Sequence, residues 1–129
     1  MAEDTTNRLA GVASIQVGGV TYLLQGELEY SPSTVSRETL AGQDQVHGFK
    51  EMPVASYISG SLRDTNNLTV QDFNQMTNVT VSLSLANGKQ IIGRNMWCTG
   101  VQAVKTAEAT FEVKFEGQSV TEEIGRAHV

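Results

Sequence analysis

Seven residues, Val79 to Leu85, alternate without a break: Val79, Val81, Leu83 and Leu85 against Thr80, Ser82 and Ser84. A period of two places every apolar side chain on one face of an extended strand. Asn87-Gly88 follows, a dipeptide suited to a tight hairpin turn, and Lys89 to about Cys98 reads as the return strand. Apolar groups on one face and hydroxyls on the other describe an antiparallel sheet with one dry and one wet side.

The pattern recurs along the chain. Ala13, Ile15 and Val17 alternate with Ser14 and Gln16, Gly18-Gly19 supplies a turn, and a strand is predicted from Val20 to Tyr30. In its second half Leu24, Gly26, Leu28 and Tyr30 share one face, and Gln25, Glu27 and Glu29 the other. From Val54 to Arg63, Ile58, Gly60 and Leu62 oppose Tyr57, Ser59, Ser61 and Arg63, with Gly60 marking a bulge or a close backbone approach. Val101–Lys105 reads as extended, and in Thr110–Glu116 the side chains of Phe111, Val113 and Phe115 face inward. One helix is predicted, about Val70 to Met76. Thr69 is its cap, Asp72 stands at N3, and Leu68 and Phe73 occupy the hydrophobic-staple positions. Its apolar stripe, Val70, Phe73 and Met76, is read as core contact over the open end or face of a sheet.

The expected fold class is therefore mainly β. It is an antiparallel β-barrel or sandwich of about seven strands with one short flanking α-helix and a long protruding loop. An open sandwich leaves edges to be covered or paired. One short helix covers little, so pairing with neighbouring subunits is the alternative.

The protruding loop is Ser31–Pro53, SPSTVSRETLAGQDQVHGFKEMP. Loops beyond about 12–15 residues are uncommon and usually functional or disordered. This one mixes both charge signs with Val35, Leu40, Val46 and Phe49, which a plain linker does not need. An ordered projection that meets another surface is the expectation. The domain is placed at residues 10–117, with an N-terminal arm at 1–9 and a mobile C-terminal tail at 118–129.

Chain length fits one domain with its own core. The net charge of −5 opposes grip on nucleic-acid phosphates. The single cysteine, Cys98, allows no intrachain disulfide, no apolar run is long enough for a membrane span, and MAEDTTNRLAG is unlike a signal peptide. A reducing cytoplasm is the default compartment, and the glycosylation patterns at Asn67 and Asn78 are read as chance.

Catalytic groups are scarce. His47 lies in the loop and His128 in the tail, neither with a second ligand at metal spacing. Cys98 reads as a buried thiol, and Glu27 with Glu29 as a solvated strand face rather than a glycosidase pair. The glycines match neither phosphate-binding fingerprint. No catalytic residue, metal site or cofactor is assigned. A Cys98–His47 pair is the enzyme reading's best candidate, and a small-ligand-binding β-barrel is the alternative from another class.

The runs GELEYSP…RET..GQD.VHG.KE.PV and D…L….N.MT..TV.L.LANGK resemble the tail tube protein family of contractile-tailed, Mu-like phages, over roughly residues 10–117. The resemblance implies a virion structural protein, assembled in the host cytoplasm, whose hexameric rings stack into a hollow tube. That tube sits inside a contractile sheath and conducts DNA at genome ejection. Type VI secretion tubes share the architecture, and a tailocin or secretion-system tube is the alternative within the class. The implied partners are the chain itself, tail sheath, baseplate and tail terminator proteins. Tape-measure protein and DNA pass through the lumen without tight binding, and no membrane is involved. The inter-ring loop residues are then Val35, Arg37, Glu38, Leu40, Asp44, Val46, His47, Phe49, Lys50 and Glu51. The lumen-facing candidates are Gln25, Glu27, Glu29, Ser59, Ser61 and Arg63, with Arg63 expected to pair with a glutamate so that no free cation drags on phosphate.

Overall fold

Each alternating segment becomes a strand. The computed structural model describes residues 14–65, 68–100 and 102–124, with the side chains of Gly26 and Glu27 excepted. The arm expected at residues 1–9 and the chain end at 125–129 lie outside the described residues. In chain order the elements are β1 (Ser14–Val17), β2 (Val20–Tyr22), β3 (Leu24–Ser31), β4 (Val35–Ala41), β5 (Val46–Pro53), β6 (Ser56–Arg63), α1 (Gln71–Asn74), β7 (Val79–Ser84), β8 (Lys89–Thr99), β9 (Val104–Lys105), β10 (Thr110–Gly117) and β11 (Val120–Ile124).

Seven strands form one antiparallel path, β2-β1-β7-β8-β10-β6-β3, nearly closed into a barrel. The closure comes from a break that the sequence did not announce. The strand expected over Val20–Tyr30 is two strands, interrupted at Leu23, whose carbonyl accepts from the Arg63 amide at 2.8 Å. Since β2 and β3 end the path, this bend carries the chain from one edge of the sheet to the other. The irregularity expected at Gly60 lies on its partner strand: Leu24 pairs with Leu62 and Leu28 with Gly60, so β3 bulges while β6 stays regular against β10.

The long β8 turns the corner between the two halves of the sheet. Its first part pairs with β7 and β11, its last part with β10. The register slips between Val79 and Val81, and Asn95 there adopts φ 56°, the left-handed region that Asn tolerates. The hairpin turns fall where the sequence puts them. Val17 pairs with Val20 around Gly18-Gly19, and the Leu85 amide donates to the Lys89 carbonyl around Asn87-Gly88.

Two expectations change. Val120–Ile124, assigned above to a tail, forms β11 on β8 with Val120 buried. One buried valine followed by Thr121, Glu122 and Glu123 leaves no alternation to read, because edge-strand pairing is made by the backbone. The helix is also shorter than predicted, Gln71–Asn74. Its N-cap is Val70 in helical geometry with no side-chain cap bond, so the Thr69 capping box does not form. Tertiary anchoring replaces the cap: Phe73 is buried, and the Met76 carbonyl accepts from the Cys98 amide at 3.0 Å.

The interior is filled from both sides. Ile15 and Val17, Val81 and Leu83, Ile58 and Leu62, and Phe111, Val113 and Phe115 are all buried, as their alternation requires. Phe73 sits among Tyr22, Phe111 and Phe115 at ring-centroid distances of 5.3, 5.3 and 6.3 Å. It plugs the barrel end that carries Leu23, Arg63 and Thr110.

Met96, fully buried, lies over two glycines. A Cβ on Gly93 would stand 2.2 Å from its sulfur, and one on Gly117 would stand 3.2 Å from its Cγ. Overpacking a closed core typically costs about 1–3 kcal/mol. Gly93→Ala is therefore expected to lower the denaturation midpoint by roughly that free energy, measured by urea unfolding.

Candidate functional site: a projecting hairpin and a wet sheet face

The segment read as a loop is a β-hairpin. β4 and β5 pair from Val35↔Pro53 through Arg37↔Glu51, Glu38↔Lys50 and Thr39↔Phe49 to Ala41↔Val46. Among the described residues these strands pair only with each other, and every residue from 32 to 55 is exposed. The hairpin therefore stands off the barrel. Two bonds fix its root: Val54 N donates to Thr34 O, and Ser56 Oγ to Ser33 O, each at 3.0 Å.

Its cross-strand pairs share faces. Arg37 Nε donates to Glu51 Oε1 at 2.9 Å, and the Arg37 guanidinium lies 5.6 Å from the Phe49 ring centroid on the same face. Lys50 and Glu38 pair at 3.5 Å on the other face. Near the turn the register slips by one residue at Gly48, whose φ of +142° suits glycine. The slip lays the His47 ring on Gly42, where a Cβ would stand 2.6 Å from Cε1 and Nε2. The turn closes through Gly42 N to Gln45 O at 2.8 Å, with Asp44 at its tip.

Exposed ion pairs contribute only about 0–1 kcal/mol each, and a lone two-stranded hairpin is marginal in water. Yet this one leaves Val46 67%, Phe49 58% and Met52 59% exposed. Both faces of the free-standing hairpin thus carry large exposed apolar side chains.

A latch joins the hairpin root to the last strand. Glu122 on β11 accepts from Tyr30 Oη at 2.6 Å and from Lys89 Nζ at 3.2 Å. The Tyr30 bond first, then Lys89, holds the Glu122 carboxyl below its ordinary 4.5. The same bond, ahead of burial, lifts the Tyr30 phenol above 10.0. Carboxylate and neutral phenol are the forms that bond. The contribution is thus complete between pH 4.5 and 10.0, is lost in acid as pH falls through the lowered Glu122 value, and is lost in base as pH rises through the raised Tyr30 value. Acidification below pH 4.5 should lower the protection factors of the amides across Val120–Ile124, once the intrinsic slowing of exchange in acid is divided out, and Glu122→Gln should remove that acid step. Hydrogen exchange read by mass spectrometry checks both.

The second surface is the outer face of β3, β6, β10 and β8. Glu29 is in register with Ser59, Ser59 with Lys114, and Lys114 with Thr99, so one row crosses four strands. Ser61 pairs with Glu112, and Tyr57 with Glu116. The face is a shallow open groove lined by Glu29, Ser59, Ser61, Thr99, Glu112 and Lys114. Gln25 and Glu29 are exposed; Ser59, Ser61 and Arg63 are half-buried; the Glu27 side chain lies outside the described residues. The sequence reading missed Glu112, Lys114 and Thr99 here, although the alternation in Thr110–Glu116 already pointed the first two outward.

Both cations of this face are held. Lys114 Nζ lies 3.6 Å from Glu116 and 4.6 Å from the Tyr57 ring centroid. Arg63 Nη1 donates to the main-chain carbonyl of Glu108 at 2.6 Å, so the glutamate that it meets is met through the backbone.

The catalytic candidates stay apart. His47 rides on the hairpin, whereas Cys98 is half-buried in β8, where its Sγ accepts from Gln102 Nε2 at 3.1 Å. Burial raises the Cys98 thiol's pKa, which disfavours a thiolate. Among the described residues no three His, Cys, Asp or Glu side chains gather as a metal site, and no helix is long and apolar enough to cross a membrane.

These features define a small antiparallel β-barrel that presents a hairpin and a wet sheet face to its surroundings. The family model described as phage tail tube protein matches residues 6–122, and the chain belongs to that family. Solved structures share the fold. One is described as the tube-terminating cap of the anti-feeding prophage: 14% identity, TM-score 0.58, 88% of each chain covered. Another is the sheath/tube terminator of the PVC extracellular contractile injection system in its extended state: 15% identity, TM-score 0.58, 95% of this chain and 99% of that chain covered. No curated protein sequence matches.

Proposed function

We propose that this chain is the structural subunit of a phage tail tube. It self-assembles into hexameric rings that stack into the hollow inner tube of a contractile tail, and DNA is delivered through the lumen. The role is architectural rather than catalytic, and the place is the virion, after assembly in the host cytoplasm. Sheath, baseplate and terminator proteins meet the tube, while tape-measure protein and DNA pass through it.

The observation that carries this reading is the hairpin: a paired, fully exposed arm with apolar residues on both faces, in a chain of the tail tube family. The arm contacts the neighbouring ring through Val35, Arg37, Glu38, Leu40, Asp44, Val46, His47, Phe49, Lys50 and Glu51. The face bearing Gln25, Glu27, Glu29, Ser59 and Ser61 lines the lumen, with Arg63 at its rim where β6 ends, and Glu112 and Lys114 join it. Carboxylates with tethered cations suit a conduit for a polyanion, because each free Lys or Arg would add a phosphate contact.

Sedimentation of the purified chain over a wide concentration range tests the assembly. Species of six subunits and larger are expected; a monomer at every concentration and salt condition contradicts the reading. Glu29→Lys tests the lumen: tubes should assemble normally while genome delivery falls, and unchanged infectivity removes the lumen assignment.

A further inference from the structure

The barrel end opposite the hairpin carries a small cleft of mixed polarity. Val20, Tyr22, Leu23 and Leu68 line it together with Thr21 and Thr65, and Arg63 is the one charged residue in its described lining. Val20 is 52% and Leu23 62% exposed. The floor is fixed, because the Tyr22 ring packs 5.3 Å from the buried Phe73. The topology sets its distance from the hairpin. The arm leaves the barrel between Ser31 and Ser56, whereas Leu24 pairs with Leu62 at the other end of the same two strands. The eight residues of β6 separate the two ends by about 23 Å at the usual strand rise.

We propose that this cleft receives the hairpin tip of a second copy of the chain. The proposal rests on the stacked-ring reading and names the acceptor which that reading leaves open. A tip at one end and a cleft at the other make a heterologous contact that repeats along one axis without closing. The chemistry matches. Asp44 is the one charge in the turn Gly42–Gln45, and Arg63 is the one charge in the cleft lining. The Glu108 carbonyl takes one N–H of the guanidinium, and among the described residues no carboxylate pairs with Arg63, so the Asp44 carboxylate of a neighbour completes its neutralisation. Behind the tip, Val46 and Phe49 supply apolar surface for Val20, Leu23 and Leu68.

Two experiments on the full-length chain test it. Asp44→Arg should raise the concentration needed for tube formation by about tenfold or more, and adding Arg63→Asp should restore it to within about threefold. Cross-linking covers the case in which Arg63→Asp disturbs the fold, since Gln45 and Leu23 are both exposed. In a Cys98→Ser background, mixing Gln45→Cys with Leu23→Cys protein should give disulfide-linked dimers that neither gives alone. Wild-type tubes without that cross-link and without rescue overturn the cleft assignment while leaving the tube reading intact. A wild-type chain that never assembles overturns the tube reading, and the cleft assignment falls with it.

Discussion

Replacing Val35–Pro53 by a short glycine-containing turn is expected to leave a folded barrel that no longer builds tubes. The prediction follows from where the hairpin's bonds go. β4 and β5 pair only with each other among the described residues, and the root is held by Val54–Thr34 and Ser56–Ser33 bonds that the replacement keeps. The core cluster contains no residue between Ser31 and Ser56. Changing a loop's length costs only about 0.6 kcal/mol per doubling, so thermal stability should shift by a few degrees at most. Assembly should respond very differently. The deletion removes Val46, Phe49, Met52 and Leu40 together with Arg37 and both ion pairs, and the few residues that dominate an interface contribute about 2 kcal/mol or more each. Losing several should raise the concentration needed for assembly by at least about 100-fold. Circular dichroism melting and sedimentation separate the two effects. A deletion variant that loses cooperative unfolding places the hairpin in the core; one that still polymerises removes it from the interface.

The second large effect is expected at the other end of the molecule. Phe73→Ala should destabilise the fold by about 3–5 kcal/mol, the usual cost of deleting a buried aromatic ring. Phe73 is the single buried residue of α1 and touches Tyr22, Phe111 and Phe115, so one side chain joins β2, the helix and β10. With no side-chain cap and only four residues, the helix has little stability of its own. Losing the ring should free α1 and open that barrel end, lowering the melting temperature by roughly 10–20 °C. A loss under about 1 kcal/mol, measured by chemical denaturation, would show that the helix is not the plug described above.

Most of the barrel was legible because burial and alternation have the same period. Ile15, Val81, Leu83, Phe111, Val113 and Phe115 could be placed inward from the sequence alone, and each is buried. What escaped was decided by backbone hydrogen bonding. The break at Leu23 interrupts no obvious pattern, and it is held by a main-chain bond to Arg63. β11 has one inward side chain, so its pairing with β8 leaves almost no trace in hydrophobicity. The hairpin was visible as an anomaly of length and composition, but not as two strands, because both of its faces are exposed and its side chains need not alternate. The wet face was half legible: Glu29, Ser59 and Ser61 stood out, whereas Lys114 and Glu112 join them only through the pairing of β10 with β6. The short helix was found in the right place for the right contact, Phe73, although its expected cap was not used.

Electron microscopy of the concentrated wild-type protein decides whether the chain builds a tube. Six-subunit rings stacked coaxially into hollow tubes are expected, with density from each subunit bridging to the next ring at the position of the β4–β5 hairpin. Isolated monomers at every concentration and salt condition, or tubes in which that hairpin contacts no neighbouring ring, would contradict that expectation.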